Sequence, residues 1–254
     1  MTHWTALLLA GSRPGRDAFA ERYGAKIKAL IPIAGEPMVL RPLRALLTSK
    51  HIEMVRILTQ EPDLIAPVLP DAPGWSVEPS SGTIAETLES LCGAGNVRWP
   101  MLVTTADHAL LDAGMIDQFC AEAEGADLAI GVVAKSALQR RLPQSRRTWI
   151  GLRHGKYTGA NLFAFGSPRA MKAVELWRSV EQDRKKGWRL LLALGWPGLL
   201  GLLRLRTLDQ TLEAMGRRLG LGIRAVRLDD PLAAVDVDKP LDHDLVTAIL
   251  ERRA

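Results

Sequence analysis

The sequence predicts an α/β fold, a three-layer, doubly wound domain built on a mostly parallel sheet. Two observations carry that expectation. Short apolar runs of strand length alternate with stretches of helical periodicity along the first half of the chain, which is the pattern of βαβ units. The 254 residues, 47% of them hydrophobic, suffice to bury one sizeable core, so a single domain over 1–254 is expected.

Taken in order, Ala6–Ala10 reads as the first strand, Met38–Leu47 as a helix, Met54–Leu58 as a strand and Ile84–Leu91 as a helix. Met101–Thr105 is again a strand, Met115–Ala123 has helical periodicity, and Leu128–Val133 and Asn161–Phe165 are further strands. From Arg169 to Arg218 the pattern turns helical, with an apolar centre broken at Gly195-Trp196-Pro197-Gly198. Two short helices joined at that break are expected, forming a helical insert or lid over 169–218. A last strand, Ile223–Leu228, precedes Val235-Asp236-Val237-Asp238, read as another strand end, and a closing helix from about Leu241 to Arg252.

Composition narrows the classes. A net charge of +5 and a pI near 9.5 suit an anionic partner. Basic residues concentrate at Arg140-Arg141, Arg146-Arg147 and Arg184 to Arg189, without the interleaved aromatics that stack bases, so no nucleic acid is expected. Cys92 and Cys120 lack CxxC spacing, which points away from zinc and disulfides and towards a reducing compartment. The start of the chain has no basic n-region and too short an apolar run for a signal peptide, and no run of spanning length occurs. A cytoplasmic protein is expected.

Four stretches carry the chemistry. Leu8-Leu9-Ala10-Gly11-Ser12-Arg13-Pro14-Gly15 runs from a strand into a glycine loop, followed by Lys28-Ala29-Leu30 and Gly35-Glu36-Pro37-Met38. Glycine after a strand lets backbone N–H groups approach phosphate oxygens, and Arg13 and Lys28 would offset triphosphate charge; a plain turn and a surface lysine are the alternative. Asp107 ends the run Met101–Thr105-Ala106, and ligands of an open α/β sheet gather at the carboxyl ends of strands. A hard cation such as Mg²⁺ needs only one or two such carboxylates, though Asp107 could equally cap a helix. His108 reads as a loop histidine, because an ionised acceptor has no proton to give up. Asp236 and Asp238 alternate, so in a strand both would face one side; either could join Asp107 around a metal, and Asp238 could instead cap the last helix. Gly82 and Thr83 open a helix, with N-capping as the simpler reading.

Together these motifs resemble the signature of the MobA-like NTP transferases, the molybdenum-cofactor and sugar-phosphate nucleotidyltransferases, over most of 5–165 and 223–250. The resemblance implies the nucleotide-diphospho-sugar transferase-like, Rossmann-like fold. It implies that Ala10, Gly11, Ser12, Gly15, Gly82 and Thr83 bind nucleotide, and that Arg13 (or Arg16) and Lys28 bind phosphates. It further implies that Asp107 and one of Asp236 and Asp238 hold Mg²⁺, and that Asn161, in Gly159-Ala160-Asn161, faces the acceptor. The second loop glycine is displaced to Gly15, and Ile27 stands where the family has proline.

The expected activity is Mg²⁺-dependent transfer of NMP from an NTP, of unknown base, to a phosphorylated small-molecule or lipid acceptor, with pyrophosphate leaving. A non-catalytic nucleotide-binding module and a nucleotide-sugar glycosyltransferase are the rival readings. Residues 185–206, rich in leucine with Trp188 and Trp196, fit core packing or a homodimer contact, or a pair of helices lying peripherally on the inner membrane face.

Overall fold

The computed structural model describes residues 2–11, 15–80, 82–93, 95, 97–145, 147–181 and 205–252. Its strands are β1 (Trp4–Leu9), β2 (Pro32–Ile33), β3 (Glu36–Pro37), β4 (Ile52–Thr59), β5 (Trp75–Pro79), β6 (Met101–Thr105), β7 (Leu128–Ala134), β8 (Ile150–Leu152), β9 (Gly155–Phe165) and β10 (Ile223–Arg227). The helices among the described residues are α1 (Ala18–Arg22), α2 (Leu40–Thr48), α3 (Pro62–Ile65), α4 (Ile84–Gly93), α5 (Ala113–Ala123), α6 (Lys135–Arg141), α7 (Met171–Glu181), α8 (Leu208–Leu219) and α9 (Pro240–Glu251).

The main sheet runs β10-β7-β9-β6-β1-β4-β5, with β8 alongside β9 and the β2–β3 pair apart from it. It is mostly parallel, as expected; β9 alone runs against its neighbours β6 and β7 within that path. From β1 the chain builds outward through β4 and β5, then crosses back to lay β6 on the other side of β1. Winding therefore reverses between β1 and β6, where Leu9 sits opposite Thr105, and a crevice opens beyond their carboxyl ends.

Alternation along β1 sends Leu7 to one face and Leu8 to the other, each into a separate buried cluster. Leu8 packs in the core that includes Leu46 of α2, Phe119 of α5 and Val246 of α9, while Leu7 shares its core with Leu88 of α4 and Val174 of α7. Helices thus cover both faces, completing the three layers. The strands expected from apolar runs are present: β6 has the expected bounds, β4, β7 and β9 are longer, β1 begins two residues earlier and ends one earlier, and β10 ends one residue short. β5 and β8 escaped the pattern because they are short and only partly apolar.

One expectation is corrected. Val235–Asp238 is not a strand: it belongs to no ladder and is fastened by the N–H of Val237 donating to the carbonyl of Asp107 at 3.0 Å. Val235 and Val237 are both buried, so Asp236 between them and Asp238 after them still turn away from the core. The helical reading of Arg169–Arg218 holds for α7 and α8, the latter opened by a Thr207–Gln210 capping box and closed by Gly220 at φ 68°. The break at 195–198 and the tryptophans at 188 and 196 lie outside the described residues. No helix among the described residues is long and apolar enough to cross a membrane.

Candidate active site

The sequence places Lys28 between Ile27 and Ala29, both buried, at the start of a short 3₁₀ turn, so its side chain leaves the core while the backbone stays anchored. Its ammonium donates to Asp107 Oδ2 at 2.6 Å and to Asp238 Oδ1 at 2.6 Å. Burial works against the ammonium, but the two carboxylates outweigh it and hold Lys28 above its ordinary value, so the charge persists at neutral pH.

Asp107 follows the end of β6, in a turn tied to β1 by the N–H of Ala106 donating to the carbonyl of Leu9 at 2.9 Å. Its second oxygen accepts the Thr105 hydroxyl at 2.5 Å. It caps no helix: the N-cap of α5 is Asp112, which accepts from the N–H of Met115. His108 lies in the loop after β6, as expected, but is buried there, and desolvation pushes its pKa down to about 4, leaving the ring neutral behind Asp107.

Asp236 accepts from Arg147 on one oxygen and from Asn161 Nδ2 at 3.2 Å on the other. Burial raises its pKa, Arg147 opposes the rise, and the charges of Asp238 and Asp107 add to it. Asp236 therefore feels the charges of both Asp107 and Asp238. Arg147 also donates to the carbonyl of Asp236 at 3.1 Å and lies 3.7 Å from Asp242, with only 12% of its side chain exposed. Asp238 does not cap α9, whose N-cap is Lys239; instead its N–H donates to Asp242 Oδ2 at 3.2 Å.

Arg147 is the site residue that sequence reasoning missed. Its signal was the Arg146-Arg147 pair, noted only as a local concentration of charge, in a loop without periodicity. Thr105 and Asp242 were likewise passed over, although Thr105 ends a quoted strand and Asp242 lies at the start of the expected closing helix.

Around this cluster the remaining expected residues are distributed as follows. Ala10 and Gly11 continue β1 into the crevice, and a Cβ on Gly11 would press within 3.0 Å of the Gln60 side chain. Ser12 and Arg13 lie outside the described residues. Gly15 has φ 102°, a conformation that favours glycine. Arg16 pairs with Glu21 at 2.5 Å and is 84% exposed, while Asp17 caps α1. Gly82, at φ 83°, precedes a reciprocal cap: the N–H of Glu86 donates to the Thr83 hydroxyl and the N–H of Thr83 to the Glu86 carboxylate. The simpler reading of Thr83, an N-cap, is thus realised.

Asn161 occupies a bulge in β9, where the register against β7 shifts between Ile130 and Val132, and its own φ is 49°. A bulge re-aims a side chain, and here it turns the amide toward Asp236. Among the described residues no three His, Cys, Asp or Glu side chains are gathered tightly enough to enclose a metal ion by themselves. The donors present are carboxylate oxygens answered by Lys28 and Arg147, a set suited to a hard cation that keeps waters and takes further ligands from substrate phosphates.

Comparison with known proteins identifies the family and the fold. The profile of the MobA-like NTP transferase domain matches residues 6–195. The 2-C-methyl-D-erythritol 4-phosphate cytidylyltransferase of Parasynechococcus marenigrum (strain WH8102) is 26% identical over 201 residues, covering 75% of this chain and 85% of its own. Among solved structures, a hypothetical transferase from Thermus thermophilus superposes with a TM-score of 0.79 at 32% identity, over 95% of this chain and 100% of that one. A CMP:2-keto-3-deoxy-manno-octonic acid synthetase complexed with CTP superposes with a TM-score of 0.65 over 100% of both chains; at 12% identity it speaks for the fold alone.

Proposed function

The chain belongs to the MobA-like NTP transferase family and is a nucleotidyltransferase, and from that premise we propose that it joins the NMP of an NTP to a phosphorylated acceptor. An oxygen of the acceptor phosphate attacks the α-phosphorus in line, the bond to the β-phosphate oxygen breaks, and pyrophosphate leaves with the electron pair. No proton has to be removed from an ionised phosphate, which suits a site whose histidine, His108, is buried and neutral.

The observation that carries the reading is the meeting of Lys28 with Asp107 and Asp238 at 2.6 Å each, beyond the carboxyl ends of β1 and β6. Lys28 supplies a lasting positive charge where phosphate charge shifts onto the leaving group. Asp107, with Asp236 or Asp238, would hold Mg²⁺, which when bound would supply divalent charge against the substrate phosphates. Thr105 and Asn161 fix the orientation of Asp107 and Asp236. Asn161 stands on the acceptor side, and the loop at Ala10 and Gly11 on the nucleotide side.

Pyrophosphate release tests this directly, measured with each NTP, Mg²⁺ and a panel of phosphorylated acceptors. CTP heads the panel, since the Parasynechococcus relative is named for cytidylyl transfer. Silence with every combination, in a protein that melts cooperatively, would overturn the proposal.

A further inference from the structure

Between the sheet face bearing Val103, Ile130 and Phe163 and the helices α4 and α7 lies a cavity of about 280 Å³. Its described lining carries no charged side chain; the polar groups, Thr104, Thr105 and Asn161, fall where the sheet approaches the carboxylates. Interiors pack to near-crystalline density, and an apolar void far larger than one water molecule is a ready receptor for an apolar ligand.

The cavity shares two wall residues with the site's hydrogen-bond network. Thr105, in its wall, donates to Asp107, and Asn161, also in its wall, donates to Asp236. A ligand with its phosphate among Lys28, Arg147 and the acids would therefore run its remaining body down between Phe163 and α7. Away from Thr104, Thr105 and Asn161 the described walls are apolar, so they reward hydrocarbon and penalise hydroxyls carried deeper into the space.

Building on the transfer reading above, we propose that this cavity receives the apolar body of the acceptor, which is a phosphate monoester of an alcohol with a hydrocarbon chain of several carbons. The polyol phosphate named for the Parasynechococcus relative is a different class, with hydroxyls along its length.

Calorimetric titration of the full chain with methyl, butyl and octyl phosphate, without NTP, tests the cavity apart from catalysis. Each methylene that leaves water should tighten binding by roughly fourfold until the space is full. Ala173→Phe, which fills the cavity from α7, should flatten the series while leaving NTP binding intact. Equal affinity for methyl and octyl phosphate would overturn the proposal, and the wild-type series alone decides this even if the variant does not fold. A flat series in a protein that releases pyrophosphate with polyol phosphates rejects the cavity and keeps the transfer reading. A graded series that Ala173→Phe abolishes, in a protein inert with every NTP, supports the cavity and rejects transfer.

Discussion

Lys28 meets Asp107 at 2.6 Å across 79 positions of sequence, and the same ammonium reaches Asp238. A compact charge with three donors satisfies two carboxylates at once and remains available to a phosphate that displaces one of them. Replacing it by methionine should lower kcat for pyrophosphate release by about 10²–10³, the usual cost of a lost charge-stabilising group. Lys28→Arg should not restore the rate, because the planar guanidinium fork cannot take the same position between two acids. Equal kcat in the wild type and Lys28→Met would remove Lys28 from the mechanism.

Arg147 is the cation that holds Asp236, and both side chains are mostly buried, at 12% and 23% exposure. Arg147→Met leaves a buried carboxylate without its counter-charge, a change that costs up to about 3 kcal/mol. Adding Asp236→Asn should return much of that stability, because the pair rather than either residue is the unit, but it should not return activity. Urea melts of the two single variants and the double variant measure the coupling, and additive losses would show that the pair is not a unit.

How much of this was legible in the sequence depended on local signals. β1 and β6 were readable because each is a continuous apolar run, and Lys28, Asp107 and Asp238 because they sit in ordered motifs at loop or strand ends. Arg147 was not, since its role arises from a loop folding back on Asp236, 89 positions away. Val235–Asp238 has the alternation of a strand, yet its neighbour is the turn at Asp107 rather than a ladder partner, and only the three-dimensional path reveals that. His108 reads as a loop residue and is one; its burial was not legible, because it comes from distant elements packed over the loop.

Acid should weaken the fold through pairs outside the site. Arg56 on β4 holds Glu78 on β5 with bonds of 2.7 and 2.5 Å, and this, opposed by burial, sets the carboxyl below its ordinary value of 4.5. Above that value the unfolded chain binds no extra proton, and the pair's stabilisation is fully present. As pH falls below it the unfolded carboxyl protonates first, so stability is lost toward the depressed native value. Glu78→Gln should therefore be less stable than wild type at pH 7 and show a shallower fall in Tm between pH 5 and pH 3. Parallel acid limbs for the two proteins would place the titration elsewhere.

Asn161 combines a backbone constraint with a contact, and substitutions can separate the two. At φ 49° it adopts a left-handed conformation that asparagine and glycine tolerate and β-branched residues resist. Asn161→Gly keeps that backbone and deletes the amide bonded to Asp236, so it should fold normally and raise the acceptor KM while leaving the NTP KM near its wild-type value. Asn161→Val should lose the amide and strain the bulge as well, costing a further 1–3 kcal/mol or so in stability. The comparison decides whether the bulge exists to aim this side chain: if Asn161→Gly bound acceptor as tightly as wild type, the amide would be a structural partner of Asp236 and the acceptor side of the site would have to be sought elsewhere.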